Sequence, residues 1–144
     1  MEMKRVTRLI ALLSALMLGK PDEVVAAWID RQARTSVWTT TITIFEIRYG
    51  LAIMPVGRRR AGRVLAFERL VEETLDHRIL SFDQGAAEEA AILMAARQQS
   101  GRASEWRDTM IAGIALAQRA TLATRNLRHF DDLAMPVVNP WEAR

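Results

Sequence analysis

Thr35-Ser36-Val37-Trp38-Thr39-Thr40-Thr41-Ile42-Thr43-Ile44-Phe45-Glu46-Ile47-Arg48-Tyr49-Gly50 changes character halfway along its length. Thr35 to Thr40 is rich in β-branched residues and tryptophan, which suits a short strand. From Thr43 to about Ile53 the spacing turns helical, and Pro55-Val56-Gly57 ends it. The same alternation recurs on both sides. Further β-rich runs are Arg78 to Phe82, Ala120 to Thr124 and Pro136 to Val138. Helical periodicity covers Asp22 to Ala33, with apolar Val24, Val25, Trp28 and Ile29, and Arg58 to Leu75, with Val64, Phe67, Val71 and Leu75. It returns over Asp83 to Gln99, capped by Asp83 with an alanine-rich face at Ala87, Ala90, Ala91 and Met94, and over Glu105 to Gln118, with Ser104 as N-cap. Strands alternating with helices of this size predict an α/β fold, a parallel sheet with helices on its faces. In such sheets functional groups collect at the carboxyl ends of the strands.

A chain of 144 residues is one domain. Half of it is apolar and 26% is charged, which is globular composition. With no cysteine, disulfides, zinc ribbons, iron–sulfur clusters and thiol catalysis are excluded, and a reducing compartment fits. The two histidines, His77 and His129, are too few for an all-histidine metal site. The net charge is +3, and Lys4 and Lys20 are the only lysines beside 18 arginines. Arginine's planar fork suits phosphate, although a genome that favours arginine codons explains the bias equally well. No apolar run reaches the roughly 20 residues needed to span a bilayer. Lys4, Arg5 and Arg8 before Leu9 to Leu18 have the outline of a signal peptide, but Leu18, Gly19 and Lys20 make a poor cleavage site. The favoured expectation is a first strand running into a helix that ends at Gly19.

No glycine-rich phosphate loop, nucleophile elbow or His-Glu-x-x-His helix is present. The chemistry rests on carboxylates. Glu46 follows a strand, yet Thr43-x-x-Glu46 also reads as a capping box, which would explain the glutamate by local structure alone. Asp108 shares a helical face with Ile111, Ala112 and Ala115. A half-buried carboxylate there is costly unless paired or metal-bound. Thr124-Arg125-Asn126-Leu127-Arg128-His129-Phe130-Asp131-Asp132 follows another strand. Asn126 there is either a site residue or a cap for the next turn, and Asp131 and Asp132 could be solvated loop charges. Trp28, Trp38, Trp106 and Trp141 read as core or interface anchors rather than base-stacking platforms. Arg58, Arg59, Arg60 and Arg63 open a helix whose far end carries Glu72, Glu73 and Asp76, against the preference of the macrodipole. That placement points to a partner, RNA or an acidic protein segment, as readily as to a solvated face.

Four of these stretches together resemble the PIN-domain ribonucleases, and within them the VapC toxins of toxin–antitoxin pairs. Thr39 to Ala52 with Met54-Pro55-x-Gly57-Arg58-Arg59-Arg60 looks like the family's second acidic motif, and Gly101-Arg102 through Asp108-x-Met110-Ile111-Ala112 is similar to its third. Leu122-Ala123-Thr124-Arg125-Asn126 and Val138-Asn139-Pro140-Trp141 resemble its last strand and terminus. The resemblance implies a single PIN-like domain over 1–144 with a pocket of acids binding Mg²⁺ or Mn²⁺. It also implies cleavage of single-stranded RNA by metal-activated water, a VapB-like antitoxin blocking the pocket, a cytoplasmic location away from membranes, and a homodimer. Glu46 and Asp108 match metal-binding acids, and Asn126 matches a residue that positions a ligand water.

Residues 1–13 depart from the pattern. The family opens with a strand ending Leu-Asp-Thr-Asn, and aligned backwards from Ser14 its aspartate falls on Leu9, its threonine on Ile10 and its asparagine on Ala11. None of these can bind a cation. A catalytically impaired relative that docks antitoxin or RNA without cutting is therefore the alternative expectation. An unrelated flavodoxin-like or receiver-like module is a weaker one, since no paired acids close the first strand.

Overall fold

A computed structural model describes residues 9–11 and 23–142. Its strands are β1 (Leu9–Ala11), β2 (Val37–Thr40), β3 (Ile79–Leu80), β4 (Thr121–Ala123) and β5 (Val137–Val138). Its helices are α1 (Glu23–Asp30), α2 (Thr41–Ala52), α3 (Arg58–Arg69), α4 (Gln84–Gln99) and α5 (Trp106–Gln118). The strands form one parallel sheet in the order β3-β2-β1-β4-β5, so the α/β expectation holds. β1 lies at its centre, with Leu9 opposite Val37 and Thr121 and Ala11 opposite Ala123. The expected first helix and the signal-peptide question lie outside the described residues, and no described helix is long and apolar enough to cross a membrane.

Strand alternation sends neighbours to opposite faces of the sheet. Leu122 packs with Leu80, Ile111, Ile114 and Phe130 on the side covered by α4 and α5. Ala123 packs instead with Val25, Trp28, Ile29, Val37 and Leu75, the side covered by α1 and the end of the α3 arm. Each fully buried large side chain is worth about 1.5–3 kcal/mol of transfer free energy, so both layers are needed. α4 and α5 approach closely at Gly113. A Cβ there would stand 2.5 Å from the Ala86 carbonyl oxygen and 2.7 Å from the Ala90 Cβ, so glycine is what lets the two helices meet.

Four local expectations need correction. The α4 face turned to the core is Ala86, Ala90, Leu93 and Arg97, a rotation from the alanine face read in the sequence. Ala87, Ala91 and Met94 line an open apolar groove beside Trp106 and Met110 instead. The long helix expected over 58–75 is α3 followed by one π-helical turn, Leu70–Thr74. Ser104 is not the cap of α5; Glu105 holds that place without a side-chain cap bond, and Ser104 bonds to Thr109 at 2.6 Å. The fourth concerns Trp106: Trp28 is buried and Trp38 and Trp141 pack on the core, but Trp106 is 70% exposed, which rules out the core half of the expectation for it and leaves the interface half.

Candidate functional site

β2 ends at Thr40, whose hydroxyl accepts the Thr43 N–H at 3.1 Å and bonds the Thr43 hydroxyl at 3.0 Å. Thr40, not Thr43, is therefore the N-cap of α2. The capping-box account of Glu46 falls with that shift, because a box needs its glutamate three residues after the cap. Glu46 lies a turn further on, half-buried, with no side-chain hydrogen bond among the described residues. Burial pushes its carboxyl above the usual carboxylate range. Arg107 pulls the other way, while Asp108 and Glu105 push it further up.

Those last three residues belong to the start of α5, the element α2 packs against. Asp108 stands in its first turn, where the macrodipole favours an acid. Its neighbours on the helix face, Ile111, Ala112 and Ala115, are buried, as the spacing predicts. One carboxylate oxygen of Asp108 lies 2.7 Å from Nδ1 of His129, on the loop after β4. Both residues line a cavity of about 420 Å³ shared with Arg97, Arg102, Ser104, Glu105 and Arg128.

The sequence candidates do not all reach this cavity. Asn126 is exposed after β4 and does not line it. Its expected capping role is not seen: it precedes the turn Leu127–His129 without a side-chain cap bond. Arg58 and Arg59 are exposed at the start of α3, and Arg60 lines a separate groove with Val56, Val64 and Leu65. Asp131 and Asp132 are not free loop charges. Arg102 bonds Asp131 at 2.6 Å, and the buried Arg97 grips Asp132 through two contacts of 2.8 Å. Sequence reasoning missed His129, Arg97 and Arg102 as site residues. Only His129 left a signal, a lone imidazole just after a strand in a segment already singled out.

An acid within α2 and another at the start of α5 thus stand on a parallel sheet in the order β3-β2-β1-β4-β5. The PIN domain family model matches residues 11–135. The chain belongs to the PIN-domain family. This PIN domain is 40% identical over 124 residues to the plasmid stability protein StbB of Pseudomonas syringae pv. tomato, covering 86% of this chain and 89% of the relative. It is 38% identical over 130 residues to VapC ribonuclease Y4jK of Sinorhizobium fredii, covering 90% and 93%. A structure of FitAB bound to an IR36 DNA fragment superposes with a TM-score of 0.83 at 27% identity, over 94% of this chain and 97% of that one. Within the PIN family this chain is a VapC-type toxin of the toxin–antitoxin systems.

Proposed function

We propose that this chain is a metal-dependent endoribonuclease that cleaves single-stranded RNA in the cytoplasm, as one domain over 1–144, and is held inactive by a VapB-like antitoxin. One observation carries the reading: α2, which bears Glu46, packs against α5, whose first turn holds Asp108 at 2.7 Å from the His129 ring in a cavity of about 420 Å³.

Among the described residues no three Asp, Glu or His side chains are gathered closely enough to hold a metal by themselves. That donor set still suits Mg²⁺ or Mn²⁺, because Mg²⁺ keeps several waters and is commonly held by one or two carboxylates together with substrate phosphate. Glu46 and Asp108 would hold the ion and Asn126 would orient one of its waters. When bound, the metal lowers the pKa of an attacking water and stabilises charge on the scissile phosphate. The chain's own contribution is to bring two acids from distant parts of the sequence to one edge.

Two surfaces support partners. On α2, Phe45 and Tyr49 stack with ring centroids 6.3 Å apart and stand 62% and 55% exposed, and the apolar stripe continues through Ile53 to Val56. Arg58, Arg59 and Arg60 follow it, in no ion pair among the described residues. An amphipathic, acidic antitoxin segment fits this combination. The groove beside exposed Trp106 on the α4–α5 side, about 390 Å³ and largely apolar, supports a homodimer face.

A second reading rests on Leu9. It lies in the central strand, where the resemblance calls for an acid, and a leucine offers no oxygen to a cation. On that reading the chain docks its antitoxin or RNA and cuts feebly. Titrating the protein with Mn²⁺ and following cleavage of a single-stranded RNA tests both. Metal binding with full cleavage supports the nuclease, metal binding with feeble cleavage supports the impaired form, and absence of metal binding overturns the metal-dependent reading.

A further inference from the structure

Arg97 is a charged side chain 3% exposed in the last turn of α4, outside every motif that led to the site. A guanidinium carries five N–H donors, one on Nε and two on each Nη. Here Nε bonds Asp132 at 2.8 Å, and one Nη bonds Asp132 at 2.8 Å and the His129 carbonyl oxygen at 2.7 Å. The other Nη reaches the hydroxyls of Ser104 and Thr109, each at 3.4 Å. Every donor is thus matched to an acceptor, as a buried arginine requires.

The acceptors fall into two groups. Asp132 and the His129 carbonyl belong to the loop after β4. Ser104 and Thr109 bracket the start of α5, and Thr109 also bonds the Glu105 carbonyl at 2.7 Å. Asp108 adjoins Thr109 on one side, and His129 carries its ring on the other. The gap Arg97 spans is therefore the gap across which Asp108 and His129 meet. Arg102 reinforces the loop side from the surface, bonding Asp131 and the Arg128 carbonyl oxygen.

We infer that Arg97 is a positioning residue, which sets the separation and orientation of Asp108 and His129 without touching metal or RNA. This rests on the metal-dependent reading of Asp108. Two facts favour it over simple core filling. A long apolar side chain such as methionine would fill most of the space on α4 without costly charge burial, and both groups that Arg97 ties are walls of the same cavity. Its hold on Asp132 keeps that carboxyl below the usual aspartate range, so the fork stays ionic at neutral pH.

The test uses the full chain with Arg97→Lys and Asp132→Asn. Lysine keeps the charge but cannot form the planar two-point grip. Because the chain has only His77 and His129, imidazole nitrogen resonances in an NMR spectrum report the site and a built-in control. The expected result for either variant is a folded protein whose His129 resonances shift while those of His77 stay put. Mn²⁺ affinity should fall about 10- to 100-fold, the usual loss when a supporting partner is removed. Folded variants with unmoved His129 resonances overturn the inference. So does unfolding of both, since Arg97 would then hold the fold rather than the site. If the parent chain binds no Mn²⁺, the metal-dependent reading fails, and the His129 resonances still decide whether Arg97 positions the pair.

Discussion

The two ends of the candidate site are built differently. On the α4–α5 side, helices touch backbone to side chain at Gly113 and a fully bonded arginine ties Asp108's helix to His129's loop. On the α2–α3 side, Glu46 has no hydrogen-bonded partner among the described residues, and Phe45, Tyr49, Ile53 and Val56 face solvent. A side chain held by several bonds stays in one geometry, whereas an exposed apolar stripe gains stability only when covered. The difference teaches that one side is held in a single geometry by its own bonds, while the other leaves apolar surface uncovered.

That contrast predicts unequal responses to mutation. Arg97→Ala should be the most damaging, at about 3 kcal/mol, because it empties a buried position and leaves the His129 carbonyl oxygen without its donor. Gly113→Ala should cost about 1–3 kcal/mol by overpacking the helix contact. Chemical denaturation measures both, and near-neutral values would erase the distinction between the two sides. Replacing Arg58, Arg59 and Arg60 together with alanine should leave stability within about 0.5 kcal/mol, as exposed sites usually do. It should instead weaken binding of antitoxin or RNA and flatten its salt dependence. Unchanged binding across salt concentrations would remove this surface from the partner side.

The smallest effect concerns pH. Arg97 lowers the pKa of Asp132, so the ionised carboxylate stabilises the fold above the ordinary aspartate range. This contribution is lost as pH falls through the lowered folded value. Asp132→Asn should therefore lie furthest below the parent in stability at neutral pH and converge with it in acid. Parallel stability curves from neutral to acid pH would contradict the pairing.

Much of the fold was legible because strand and helix periods are local. The alternation of strands and helices, the Asp83 cap and the apolar face behind Asp108 all follow from spacing. What was not legible depends on contacts between distant segments. Arg97 reads as an ordinary surface arginine near a helix end, and only the fold brings Asp132, 35 positions on, into its fork. The capping of α2 was misread by one turn, because four threonines among residues 39–43 offer competing caps and sequence alone does not rank them. Of the three residues singled out for chemistry, Asp108 lines the cavity beside His129, whereas Glu46 and Asn126 do not.

The most direct test of the nuclease reading addresses the central strand. Leu9→Asp with Ala11→Asn should raise magnesium-dependent cleavage of single-stranded RNA at least tenfold over the parent chain, since loss of even a supporting residue costs a metal site 10- to 100-fold. Adding Asp108→Asn should abolish the gain. A parent chain that already cuts at the repaired rate, and loses that activity with Asp108→Asn alone, would contradict the placement of the missing acid at Leu9.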